Sequence, residues 1–216
     1  MAPRPGILDP STNNPFAHPS GWLGRLAGRF MLWTNKQDDV VGVLGVQSGD
    51  DVLEVGYGPG GLIRLLAQRT EAASIRGVDP SPEMRDQARR HNRSAVRTGR
   101  VRLDLGTADR TGLPDASVDR VVSVNNVAIW PDREAAVGEL HRVVRPCGTV
   151  VIAWHGGTKP SRVARALRLP DDELGRIEHV LRYRFAEVGR RQLPCLDVFT
   201  ATRAVSLAVK VVPPAL

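Results

Sequence analysis

From Asp50 onward the chain alternates short, apolar, β-branched runs with stretches of helical spacing, and this alternation limits the fold more than any other feature. The runs are DVLEVG (51–56), SIRGVD (74–79), RVRLDLG (100–106), VDRVVSV (118–124) and GTVVIAW (148–154). Helical patterns over Gly60–Arg69 and Pro82–Asn92 lie between the first three, and a third, Arg133–Val144, precedes the fifth. Apolar strands linked by helices of this length form a parallel sheet buried on both faces. The expectation is a doubly wound, mostly parallel, Rossmann-like α/β fold. After Trp154 the order changes to a loop with Gly and Pro, then a helix around Asp171–Leu181 that opens on acids, as helix N-termini prefer. Two further runs, FAEVGRRQL (185–193) and DVFTATRAV (197–205), are joined at Pro194 and Cys195, so close that they must pair antiparallel.

The 216 residues suffice for one domain, and 42% hydrophobic with 25% charged residues is an ordinary globular mixture. The start MAPRPGILDP lacks the basic and apolar regions of a secretory leader, and no run approaches bilayer-spanning length, so a cytoplasmic protein is expected. Cys147 and Cys195 are too few for a disulfide framework and lack metal-ligand spacing; both read as free thiols. The net charge of +7 invites a nucleic-acid partner. However, only Lys36, Lys159 and Lys210 are lysines, and the arginines are scattered among acids, which argues against a basic binding surface.

The first 20 residues are rich in Pro, Asn and Ser and read as an irregular lead-in. Trp22, Leu26, Phe30 and Trp33 then recur at spacings of three and four, which predicts an amphipathic helix with Arg25 and Arg29 off its apolar stripe. That stripe needs a cover: the mouth of a ligand pocket, a second subunit or a membrane surface. The expected division is an N-terminal lid or substrate-side segment at 1–40, the main domain at 41–208 and a tail at 209–216. Monomer and homodimer both stay open.

The first strand runs into a glycine-rich turn, VLEVGYGPGG, and then into the helix LIRLLAQR. Glycines there let the backbone turn sharply and approach a ligand, with helix N–H groups facing it. Gly56, Gly58 and Gly61 also satisfy the dinucleotide pattern G-x-G-x-x-G, so a nicotinamide-dependent oxidoreductase has to be weighed. Glu54 sits two residues before Gly56, where it would repel a pyrophosphate but suit a cationic ligand. Asp79 ends the second strand, about twenty residues on, where a carboxylate can accept both ribose hydroxyls in either case. Hydride chemistry would need a second catalytic region for which the chain has no room.

At this point the sequence resembles class I S-adenosylmethionine (SAM)-dependent methyltransferases, particularly the small-molecule branch of the ubiquinone and menaquinone biosynthesis enzymes. VLEVGYGPGG is similar to that family's first motif and GVDPSPEM to its second-strand acid and following helix. GTADRTGLPDASVDRVVSVNNVAIWPD resembles the stretch from the adenine-contacting acid through the fourth strand, and LHRVVRPCGTVVIAW the fifth-strand region, with Cys147 in place of a glycine. The resemblance implies strand order 3-2-1-4-5-7-6 with the seventh antiparallel, and SAM as cofactor with S-adenosylhomocysteine as product. It implies that Glu54, Gly56 and Gly58 hold the methionine end, with Tyr57, Gly60 and Pro80 in the same cofactor-binding set. Asp79 would bind ribose, Met84 would pack near the adenine, Ala108 and Asp109 would meet its edge, and Asn125 would line the methyl-transfer site.

The partner expected is a small, partly apolar methyl acceptor. Trp130 and Trp154 lie at the carboxyl ends of strands, where ligands bind in such sheets, and with Asn126, Trp22, Phe30 and Trp33 form the candidate acceptor pocket. His155 is the candidate base, by position and pKa range. Methyl transfer is an in-line displacement on an activated donor, so alignment and exclusion of water matter most. No metal cluster is read from the sequence. A non-catalytic RNA- or partner-binding relative of the same fold is the alternative from another class.

Overall fold

The runs that are apolar on both faces become the interior strands of a single sheet, covered on either side by the helices between them. In the computed structural model, which describes residues 37–205, the sheet has seven strands. They are β1 (Asp51–Val55), β2 (Ser74–Asp79), β3 (Val101–Leu105), β4 (Val118–Val124), β5 (Val144–His155), β6 (Glu187–Gln192) and β7 (Leu196–Thr202). Their order is β3-β2-β1-β4-β5-β7-β6, with β7 antiparallel to both neighbours and the other pairings parallel, as the resemblance implied.

One face buries Leu53, Val121, Ile152, Trp154 and Phe199 under two helices, α5 (Arg133–Val143) and α7 (Asp171–Arg184). The other buries Val52, Ile75, Val122, Val151 and Val198 under α1 (Asp38–Leu44), α2 (Gly61–Arg69) and α3 (Pro82–His91). Each fully buried aliphatic side chain contributes about 1.5–3 kcal/mol, so the two faces hold the sheet firmly. Short helices α4 (Arg93–Arg97) and α6 (Arg162–Ala166) lie in connections. Ser81 and Asp132 cap α3 and α5, accepting the N–H groups of Met84 and Ala135.

Several boundaries differ from the sequence reading, among them β7, which ends at Thr202 where the run continued to Val205. The helix α7 runs on to Arg184, three residues past the expected end. The strand β5 begins at Val144, four residues before the expected Gly148, because Val144 already pairs with Val118 before a register shift. Within that irregular stretch Cys147 adopts φ +63°, and its N–H donates to the Arg203 carbonyl at 3.0 Å. Gly148 has no room for a side chain, since a Cβ would stand 2.6 Å from Val144 and 2.7 Å from the Asp119 carbonyl oxygen.

Parallel strands give the sheet two chemically distinct edges. At the amino edge Arg145 pairs with Asp51 at 2.9 Å and with Asp119, whose carboxylate also accepts the Asp51 N–H at 2.8 Å. Arg120 pairs with Asp50 at 2.8 Å and donates to the Thr149 hydroxyl at 3.0 Å. The two cysteines are free. They stand at opposite ends of β5, Cys147 near its start and Cys195 beside Leu196, the partner of His155.

Candidate active site at the carboxyl edge of the sheet

Three glycines of the turn after β1 have left-handed backbones, Gly56 at φ +75°, Gly58 at +51° and Gly60 at +82°, and a side chain at each would meet different surroundings. A Cβ on Gly56 would fall 2.1 Å from the Asn126 amide nitrogen. One on Gly60 would fall 2.7 Å from the Asn92 amide nitrogen and 2.8 Å from the Ala88 methyl. Gly58 alone has nothing within 4 Å of that position, so it is the glycine that faces open space. The turn is propped from behind by α3 and the residue after it: Asn92 donates to the Gly60 carbonyl at 3.0 Å, and His91 Nδ1 meets the Pro59 carbonyl at 2.8 Å. Neither residue was singled out in the sequence, because a side chain reaching back thirty-two residues leaves no periodic signal.

Two buried acids flank the turn. Glu54 is 2% exposed, and its Oε2 has no hydrogen-bond partner among the described residues. Burial first, and then the Asp79 charge, push its carboxyl well above the usual range, against one hydrogen bond from the Ile63 N–H. Asp79 accepts the Gly58 N–H on Oδ2 and the Ser81 N–H on Oδ1, both at 2.9 Å. Burial raises its pKa as well, with those two bonds opposing. A carboxylate offers about four acceptor positions, so each Asp79 oxygen keeps capacity for one more donor. Tyr57 is buried, its ring lying where a Cβ on Gly77 would be 2.6 Å from its Cδ1, and its hydroxyl donates to the Asp104 carbonyl at 3.2 Å. Burial raises its phenol above the ordinary value, with Asp79 adding to the effect.

Glu54, Gly56, Tyr57, Gly58 and Asp79 are thus brought together at the ends of β1 and β2. Met84 is buried one helical turn beyond, its N–H held by Ser81, while Pro80 is exposed. Ala108 is buried and Asp109 exposed on a tight turn in which Thr107 and Arg110 exchange backbone hydrogen bonds at 3.1 and 3.2 Å. Gly106 ties the start of that turn to the Asp79 carbonyl at 3.2 Å.

The residues expected on the acceptor side follow β4 and β5. Asn125 directly follows β4 with φ +58° and donates its N–H to the Ala153 carbonyl at 2.8 Å. Asn126 and Trp130 are hydrogen-bonded to each other at 2.8 Å, and Asn126 also donates to the Val55 carbonyl at 2.8 Å. Trp154 is 7% exposed and donates its indole N–H to the Leu167 carbonyl at 2.8 Å. His155 is half-buried, edge-on to Trp154 at 5.5 Å between centroids, and burial pushes its pKa down to about 4. Among the described residues no group of three or more His, Cys, Asp or Glu stands together in a way that could hold a metal, and no helix is long and apolar enough to cross a membrane. Trp22, Phe30 and Trp33 lie outside the described residues.

Residues 52–148 match a protein family described as a methyltransferase domain. The chain is 34% identical over 120 residues to YdaC of Bacillus subtilis (strain 168), named as an uncharacterized methyltransferase, covering 56% of this chain and 61% of that one. It spans less than two thirds of the length of the first curated relatives it matches. In fold it is similar to a candidate S-adenosyl-L-methionine-dependent methyltransferase of Methanococcus maripaludis, with TM-score 0.71, 16% identity, and 87% and 95% of the two chains covered. A geranyl diphosphate C-methyltransferase of Streptomyces coelicolor A3(2), solved with S-adenosyl-L-homocysteine, superposes with TM-score 0.60 at 14% identity, covering 78% and 77%. The matched residues 52–148 thus lie within a Rossmann-like sheet whose fold is similar to that of solved SAM-dependent methyltransferases.

Proposed function

We propose that the protein transfers a methyl group from SAM to a small, partly apolar acceptor. The observation that carries this reading is the buried carboxyl of Glu54, one oxygen of which has no partner among the described residues, beside a second buried acid, Asp79. Two such acids favour a ligand bearing positive charge, as SAM does, and oppose a dinucleotide pyrophosphate. The residues present therefore fit the cofactor. Glu54 would meet its cationic methionine end, the open backbone at Gly58 would let it approach, and the spare capacity of Asp79 would take ribose hydroxyls. Met84, Ala108 and Asp109 would flank the adenine.

The bound cofactor supplies an activated methyl group, so the chain has chiefly to orient the acceptor and keep water out. Trp130 and Trp154, with Leu105, Ile129 and Leu167 exposed among the described residues, support an apolar acceptor wall near the ends of β3, β4 and β5. The spacing of Trp22, Phe30 and Trp33 supports a role for residues 1–40 in completing it. His155 is neutral at physiological pH and free to take a proton, but with a pKa of about 4 it holds one weakly. Its role is then that of an acceptor of hydrogen bonds before that of a strong base.

Calorimetric titration with SAM, S-adenosylhomocysteine, NAD and NADP tests the reading. SAM and its product should bind and the dinucleotides should not. Binding of NAD or NADP with none of SAM would reverse it.

A further inference from the structure

We infer that Asn126 is a positioning residue, welding the acceptor-side segment after β4 to the glycine turn after β1, and that position 56 is glycine in order to admit it. The inference rests on the reading above only in taking that turn as the cofactor's. Asn126 is 8% exposed and makes contacts in three directions. Its Oδ1 accepts the Trp130 indole N–H at 2.8 Å and the Ser123 hydroxyl at 2.6 Å. Its Nδ2 donates to the Val55 carbonyl at 2.8 Å and lies 3.4 Å from that of Gly56.

The orientation of the amide is dictated by chemistry. An indole N–H can only donate, so the oxygen has to face Trp130; a carbonyl can only accept, so the nitrogen has to face β1. Neither aspartate nor a hydrophobic residue can do both. The space for this amide exists because residue 56 has no side chain: a Cβ there would overlap Nδ2 at 2.1 Å and Cγ at 2.7 Å. The first glycine of the turn is thus required by a protein side chain, whereas Gly58, two residues on, faces open space. From Gly56 the connection continues to β2, since its N–H donates to the Val78 carbonyl at 2.8 Å, one residue before Asp79. A bonded path therefore runs from Trp130 through Asn126 and the turn to the strand that carries the ribose-binding acid. A displacement of the turn when cofactor binds has to reach Trp130, and losing the amide would leave buried polar groups unpartnered at both ends.

The test reads the indole N–H resonance of Trp130 in nitrogen-15 spectra of the full chain, assigned with Trp130→Phe. In protein without cofactor, Gly56→Ala should displace that resonance, while Gly58→Ala, which strains a backbone of the same hand with nothing near its Cβ, should leave it in place. Equal displacement by both, or none by Gly56→Ala, overturns the pairing. If Gly56→Ala does not fold, recovery of folded protein on combining it with Asn126→Ala supports the steric pairing, and a Trp130 resonance that stays at its wild-type position in Asn126→Ala alone refutes it. Adding SAM to the wild type should move the Trp130 resonance more than that of Trp154, and Asn126→Ala should abolish the difference. Equal movement with and without Asn126 refutes the coupling. Failure of SAM to bind the wild type would sink the cofactor assignment instead, and the comparison of the two glycines would still decide the pairing.

Discussion

Asp51 and Glu54 are carboxylic acids three residues apart on β1, and the protein treats them in opposite ways. Burial acts to raise Asp51, but hydrogen bonds from Ser74 and Arg145 outweigh it and hold its carboxyl below the usual value. Glu54, toward the other end of the strand, has a second acid for a neighbour and, among the described residues, an oxygen without a partner, and its carboxyl is held well above that value. The same contrast separates the two edges of the sheet. Asp50, Asp51 and Asp119 are matched by Arg120 and Arg145 in a closed set that joins β1, β4 and β5. At the carboxyl edge Glu54 and Asp79 are neighbouring acids, both raised by burial, that keep acceptor capacity in reserve. An edge that satisfies its own charges contributes stability, and one that leaves them unsatisfied is poised for a ligand at a cost to stability.

The largest effect that could break this contrast is that of Glu54→Gln. Removing a buried, unpaired carboxylate should raise the melting temperature of the cofactor-free protein at neutral pH. The same change should weaken SAM by about 2–3 kcal/mol, the scale of a hydrogen bond to a charged group in a buried site. Calorimetry and thermal melts of the one variant supply both numbers. A lower melting temperature without SAM would show that Glu54 is structural, like Asp51.

The sign of the pH dependence follows. Because the folded pKa of Glu54 lies above its unfolded value, the folded state binds more protons in the interval between them, and stability falls as pH rises through that interval. Glu139 does the reverse. Burial would raise it, but hydrogen bonds from Arg142 and Thr111 hold it at about 2, so its contribution is present above the ordinary glutamate range and lost as pH falls toward 2. Binding of cationic SAM should favour the ionised form of Glu54 and release a proton below its raised pKa. Calorimetry in buffers of differing ionisation enthalpy should detect that proton in the wild type and miss it in Glu54→Gln.

A smaller effect is expected at the amino edge. Arg145→Met leaves Asp51 and Asp119 without their shared cation. The pairs are about one third exposed, so the 3–5 kcal/mol typical of breaking a fully buried pair shrinks here to about 1–2 kcal/mol. Denaturant unfolding should show that loss while SAM affinity stays unchanged. A matching loss of affinity would mean that the two edges are not independent.

Much of this organisation could be read before the structure was known. Five strands follow from their apolar, β-branched runs, and the last two, with their antiparallel pairing, follow from two strand-like runs and the short join at Pro194 and Cys195. What escaped was either short or distant in sequence. The helix Asp38–Leu44 is only seven residues of valine-rich sequence, and burial of Val40 and Leu44 against the sheet, a tertiary effect, holds it helical. The early start of β5 depends on a bulge that no pattern announces. At the candidate site, the glycines and acids were legible because they cluster within a few residues of the ends of β1 and β2. The bracing by Asn92 and Asn126 was not, since each reaches across the fold to a backbone carbonyl. Gly56 offered the one available clue, as a glycine whose side-chain space had to be filled by something.

The smallest effect concerns Cys147, which stands in a left-handed backbone that favours glycine. Holding a non-glycine residue there costs about 1–2 kcal/mol, and replacing it with glycine costs about 0.5–1 kcal/mol through the greater freedom of the unfolded chain. The thiol is exposed, so its removal sacrifices no packing, and the N–H bond to the Arg203 carbonyl is kept. Cys147→Gly should therefore gain about 0.5 kcal/mol, which in a domain of this size raises the melting temperature by about 1–2 °C. SAM affinity should be unaffected, because the residue lies at the start of β5, a strand's length from the carboxyl edge. Asn125 adopts a similar backbone, φ +58°, at the opposite edge, where the resemblance to methyltransferases places it beside the transferred methyl. If relaxing Cys147 altered SAM binding as well as stability, strain at the amino edge would be linked to the cofactor site. The division of labour between the two edges would then be incomplete.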